Sequence, residues 1–159
     1  REMQHNLARE ISNCGVICTN DLVYPDEDTQ IHPRNKKDVG HRLAYLALNR
    51  TYGQTGIECQ YPEYKSFTID GDTAEVFFDN AEDGLSPWKG LEGFEVAGED
   101  KVFHKAEARV HTGHKSVLVR SDEVASPVAV RYCFRDFQIG NLVSGRGLPV
   151  LPFRTDNWD

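Results

Sequence analysis

The segment Tyr24-Pro25-Asp26-Glu27-Asp28-Thr29-Gln30-Ile31-His32-Pro33-Arg34-Asn35-Lys36 gathers one imidazole and three carboxylates in a single polar stretch. An imidazole with an ordinary pKa of about 6.5 can take a proton from a serine hydroxyl and return it to a leaving group. It does so efficiently when a carboxylate or carbonyl holds its other nitrogen in the correct tautomer. Pro33 restricts His32 to an extended backbone, which fixes the ring at the mouth of whatever element follows. His32 is therefore the candidate general base. Its plainer role is to cap that element or to satisfy a loop carbonyl, and the residues alone leave both open.

The surrounding pattern predicts what positions this loop. Met3, Leu7 and Ile11 recur at helical spacing over residues 1–12, and Asn13-Cys14-Gly15 supplies a stop. Val16-Ile17-Cys18-Thr19 is a continuous run, rich in β-branched residues, of the kind found in a strand buried on both faces of a parallel sheet. The polar loop would then open at the carboxyl end of that strand, where α/β sheets place their ligands. A second helix is predicted from about Asn35 to Thr51, with Val39, Leu43, Leu46 and Ala47 on its inner stripe and Gly53 closing it. One buried parallel strand needs neighbours that the chain does not supply, so something else must complete the sheet.

Beyond Gly56 the period changes to two. Phe67 and Ile69, then Ala74, Val76 and Phe78, alternate with polar residues around Asp70-Gly71-Asp72, an Asp-Gly hairpin signal. Further runs at Phe94–Ala97, Ala106–Val110, Ser116–Val119 and Val128–Phe134 imply short antiparallel strands in a sandwich or jelly-roll-like pair of sheets. Pro149 and Pro152 make the tail an extended edge. The expected fold class is α+β, with an α/β portion at 1–56 and an antiparallel β-sandwich at 57–159.

Composition limits the function classes. The 159 residues carry 18 basic and 25 acidic side chains, a net charge of −7, which argues against sequence-independent binding to nucleic-acid phosphates and against anionic membrane surfaces. No apolar run approaches the ~20 residues that cross a bilayer. The opening Arg1–Asn6 has no apolar stretch behind it and reads as the interior of a longer polypeptide. No cofactor is expected.

Other groups could also carry chemistry. His111 and His114 flank Thr112-Gly113 at a turn and, with a third ligand, could hold zinc, although turn histidines are more often solvated; His104 lies on the same half. Cys14 and Cys18 are too far apart along a strand to bridge, whereas Cys59 and Cys133 could pair in an oxidising compartment. Trp88, Trp158, Tyr61 and Tyr64 could form a platform for sugar rings or serve simply as packing.

A resemblance extends these readings. Arg1-Glu2-x-Gln4, Gly15–Asp21, Ile31-His32-Pro33-x-Asn35-Lys36 and Val39-Gly40-x-Arg42-Leu43-Ala44 together resemble the C-terminal end of the SGNH-hydrolase domain, a flavodoxin-like fold, of sialate O-acetylesterases. Gly90-Leu91-x-Gly93-Phe94-x-Val96-Ala97-Gly98, Pro127–Tyr132, Gly140-Asn141-Leu142 and Gly147-Leu148-Pro149-x-x-Pro152-Phe153-Arg154-Thr155-Asp156 are similar to that family's trailing β-domain. The resemblance implies removal of O-acetyl groups from sialic acid, or from another acetylated glycan, by a serine nucleophile, with His32 as base, in an exported protein (periplasmic, secreted or lysosomal). The family usually has an aspartate two or three residues before this histidine. Here Gln30 and Thr29 stand there and Asp28 lies one step further off, so either Asp28 or a backbone carbonyl orients the ring. The family's Gly-Gln-Ser-like nucleophile block and its oxyanion-hole blocks have no match. The resemblance therefore implies that the upstream polypeptide is a required partner and that this chain alone is inert. The rival reading is a non-catalytic carbohydrate-binding or scaffolding β-domain.

Overall fold

The computed structural model describes residues 2–113 and 115–158. The chain is α+β: two helices precede a body made mostly of antiparallel sheet. Helix α1 spans Glu2–Glu10, and Asn13, in the left-handed region at φ 58°, turns the chain away after it. Helix α2 spans Lys36–Arg50. Asn35 caps it, its side chain accepting the Asp38 N–H at 3.2 Å. That removes capping from the roles open to His32.

The expected strand at Val16–Thr19 does not form: residues 14–19 belong to no regular element and to no sheet. A strand exists by pairing its backbone with another, and among the described residues no strand runs beside this segment. Helix α2 satisfies some of its carbonyls instead. Arg42 donates to the Cys18 carbonyl at 2.7 Å and to both carboxylate oxygens of Asp21 at 2.7 and 2.6 Å, while Arg50 donates to the Cys14 carbonyl at 3.4 Å. Gly15 lets the segment pass close beneath Leu46, where a Cβ would collide.

Ten strands follow. They are β1 (Glu63–Asp70), β2 (Thr73–Asp79), β3 (Leu85–Ser86), β4 (Phe94–Ala97), β5 (Phe103–Lys105), β6 (Glu107–His111), β7 (Ser116–Arg120), β8 (Ala129–Tyr132), β9 (Val143–Ser144) and β10 (Phe153–Arg154). One sheet has the order β1-β2-β7-β6 and a second β10-β8-β4-β5, with β3 and β9 forming a small ribbon. The β1–β2 hairpin turns at Gly71-Asp72, as the Asp-Gly signal predicts, with Gly71 at φ 60°. The proline-containing tail supplies β10 as an edge strand.

Alternation decides the core. Ala74, Val76, Val117 and Val119 of the first sheet meet Phe94, Val96, Val130 and Tyr132 of the second in one buried cluster. Phe153 sits among Tyr64, Phe78, Phe94 and Tyr132, with ring centroids 5.1–6.4 Å apart. Neither helix contributes a buried residue. Helix α1 is held by its charged side, Glu2 taking Arg154 at 3.0 and 3.1 Å and Arg9 pairing with Glu63. Its predicted apolar stripe faces outward, with Met3 73% and Ile11 53% exposed. Leu43 of α2 is also exposed.

Candidate active site

The polar loop is organised around one carboxylate that sequence reasoning did not single out. After Tyr24 the chain makes a single 3-10 turn, Pro25–Glu27, started by a proline at its first position. Glu27 folds back into this turn and is only 3% exposed. It accepts the Tyr24 N–H at 2.8 Å, the Arg34 N–H at 2.7 Å and the Arg34 Nε at 3.0 Å. A single side chain thereby ties together the two ends of the loop that carries His32. These hydrogen bonds, Tyr24's foremost, hold the Glu27 carboxyl below its ordinary value despite the opposing effect of burial.

Arg34 completes the brace. It donates to Asp26 at 2.7 Å and lies over the Tyr24 ring at 4.9 Å. The loop hangs from α2 through the Arg42–Asp21 pair, where burial works against the guanidinium charge but the hydrogen bonds and charge of Asp21 outweigh it and raise its pKa. Signals for the inward turn of Glu27 were present: Pro25 opens the turn, and an acid at its third position can reach back to the backbone N–H preceding the turn. Three carboxylates in succession conceal which one does so.

His32 is exposed at the outer side of this braced loop, next to Ile31, which is 86% exposed. Asp28 closes the 3-10 turn and is exposed as well. The two residues make no hydrogen bond to each other among the described residues. Gln30, two residues before His32, donates its backbone N–H to the Glu27 carbonyl at 3.0 Å.

The other candidate groups are dispersed. His104 and His111 each meet a carboxylate, Glu123 at 3.0 Å and Glu75 at 2.9 Å. His114 lies outside the described residues, among which no three metal-ligating side chains converge. Cys59 is an unbridged thiol whose pKa burial raises, and Cys133 is a free thiol buried in the sheet core, so the pairing open to them in an oxidising compartment is not formed here. The four aromatics do not assemble into a platform. Tyr64 stacks on Phe153 in the core, Tyr61 is buried with Cys18 and Leu151, Trp158 packs on Phe103 at 5.8 Å, and Trp88 is exposed beneath Lys89.

No family model matches the chain, and no curated protein sequence does. A solved structure does match, and its title describes XAC1771, a novel carbohydrate acetylesterase from Xanthomonas citri. The chain is similar to part of a carbohydrate acetylesterase. Identity is 42%, the TM-score is 0.72, and the match covers 87% of this chain. The chain spans 31% of the length of that protein.

Proposed function

We propose that this chain is the C-terminal part of a carbohydrate O-acetylesterase in which His32 is the general base and the serine nucleophile is supplied by polypeptide outside these 159 residues. The observation that carries the reading is the 42% identity to a carbohydrate acetylesterase over 87% of the chain. The exposed His32 on its braced loop supports it. The nucleophile's oxygen would lose its proton to the imidazole as it attacks the acetyl carbonyl, the proton would pass to the sugar oxygen as its bond to the acetyl carbon breaks, and a water deprotonated by the same imidazole would then cleave the acetyl-serine ester, releasing acetate and returning the proton to the serine. Asp28, or a backbone carbonyl, is the group we assign to orient the ring.

On this reading residues 1–56 are the end of an SGNH-type α/β domain, and 57–159 form a β-sandwich of jelly-roll type behind it. The outward apolar stripe of α1 supports that division, because an exposed apolar stripe is built to be covered. The acetylated sugar to which the resemblance points is sialic acid, and an exported location goes with it.

The test is to assay an aryl acetate and acetylated sialosides with the chain alone and with the chain joined to its upstream polypeptide. Turnover is expected only in the joined protein, and His32→Ala should lower its kcat by roughly 10²–10⁴-fold with folding intact. Turnover by the isolated chain, or an unaffected His32→Ala variant, overturns the reading.

A further inference from the structure

The outer face of the β1-β2-β7-β6 sheet is covered by neither helix and carries a cavity of about 590 Å³, within the range of roughly 300–1,000 Å³ usual for ligand clefts. Register aligns its floor. Thr68, Glu75, Leu118 and Arg109 lie side by side across the four strands, each directly opposite the next. The half-buried Leu118 gives an apolar centre, flanked by a carboxylate that only accepts hydrogen bonds and a guanidinium that only donates them.

These groups differ in how they are held. Glu75 is fixed, accepting Ser116 Oγ at 2.5 Å and meeting His111 Nδ1 at 2.9 Å. Arg109 is exposed and has no ion-pair partner among the described residues. A preorganised acceptor facing an unengaged donor across an apolar floor suits a group that donates and accepts at once, carried on a ring with an apolar face. A sugar bearing neighbouring hydroxyls has that chemistry. Charge narrows the class: the lining carries four carboxylates (Asp70, Asp72, Glu75 and Glu107) against the two guanidiniums of Arg109 and Arg120, which disfavours an anionic ligand.

We infer that this cleft binds a neutral oligosaccharide stretch of the acetylated glycan, holding the polymer while the ester is cleaved elsewhere. The inference rests on the carbohydrate-esterase reading for its choice of ligand. The test is a titration of the ¹⁵N-labelled 159-residue chain with β-1,4-linked hexaoses of glucose, xylose and mannose, and with sialyllactose as the anionic arm. At least one neutral hexaose is expected to shift the amides of Thr68, Glu75, Arg109 and Leu118 at ~10 mM or below.

Arg109→Ala and Glu75→Gln should each weaken that binding by tenfold or more. Arg109 is exposed, so its variant keeps the fold and the test survives even if Glu75→Gln perturbs the sheet. Absence of these shifts with all three hexaoses, equal binding of sialyllactose, or an unchanged affinity in Arg109→Ala overturns the inference. Hydrolysis by the joined protein is measured separately. Turnover without sugar binding here removes only this inference, and sugar binding without turnover removes only the esterase reading.

Discussion

The two regions of the molecule keep their shape by different physics. The sheets are held by side chains packed against side chains, around a core shared by both sheets. The loop that presents His32, together with the helices beside it, is held by charged hydrogen bonds: Glu27 to Tyr24 and Arg34, Arg42 to Asp21 and Cys18, and Arg154 to Glu2. Packing is spread over many contacts and tolerates the loss of one polar group, whereas a brace built on one carboxylate is local. For the general-base role proposed for His32 such a local device suffices, because the ring must be aimed while remaining exposed to substrate.

This contrast can be broken by substitution. Phe94→Ala in the sheet core should destabilise the chain by about 3–5 kcal/mol, read by chemical denaturation. Leu43→Ala on the exposed stripe of α2 should change the isolated chain by within ~0.5 kcal/mol. A comparable loss from both would mean that the helices share the core after all. Tyr132→Phe lies between them. Its buried oxygen accepts the Leu142 N–H at 3.1 Å, and leaving that donor unpaired should cost about 1–3 kcal/mol.

The brace is tested by Glu27→Gln in the joined protein, where misplacing His32 should lower kcat about tenfold or more. The denaturation midpoint of the sheets should not move, and unchanged kcat would show that the brace does not aim the ring.

Acid gives a milder version of the same comparison. The Glu27 carboxyl is lowered from its ordinary 4.5, so its contribution is present above that pH and is lost as the pH falls through the lower folded value. Protection of the Tyr24 and Arg34 amides from exchange should therefore fall only on the acid side of about 4.5. On the sheet side, burial raises the Asp156 pKa, but the paired hydrogen bonds from Arg131 at 2.9 and 2.7 Å outweigh it and leave it below 3.8. The clamp on the tail should loosen only below that. Loss of either protection at neutral or alkaline pH would contradict these assignments.

Helix α1, helix α2 and the β1–β2 hairpin could be read from periodicity and turn residues, because each depends on contacts close in sequence. The short strands β3, β5 and β9 were not, since two or three residues are too few to show a period. The expected strand at Val16–Thr19 failed for a different reason. Its composition suits burial in a sheet, but pairing is a property of two segments, and no second segment pairs with it among the described residues. His32 was legible because a proline follows it. Glu27 was obscured by its acidic neighbours Asp26 and Asp28, as only the turn's geometry distinguishes them.

The sequence by itself determined which residues could form helices and hairpins and which imidazole stands in an open, proline-stiffened loop. These are matters of local backbone preference and side-chain type. Only the tertiary structure decided that Glu27 is the acid turned inward, that α1 shows its apolar side to the outside, and that Thr68, Glu75, Leu118 and Arg109 line up across four strands. Each of these depends on distant segments meeting, through register and packing that no single stretch of residues encodes.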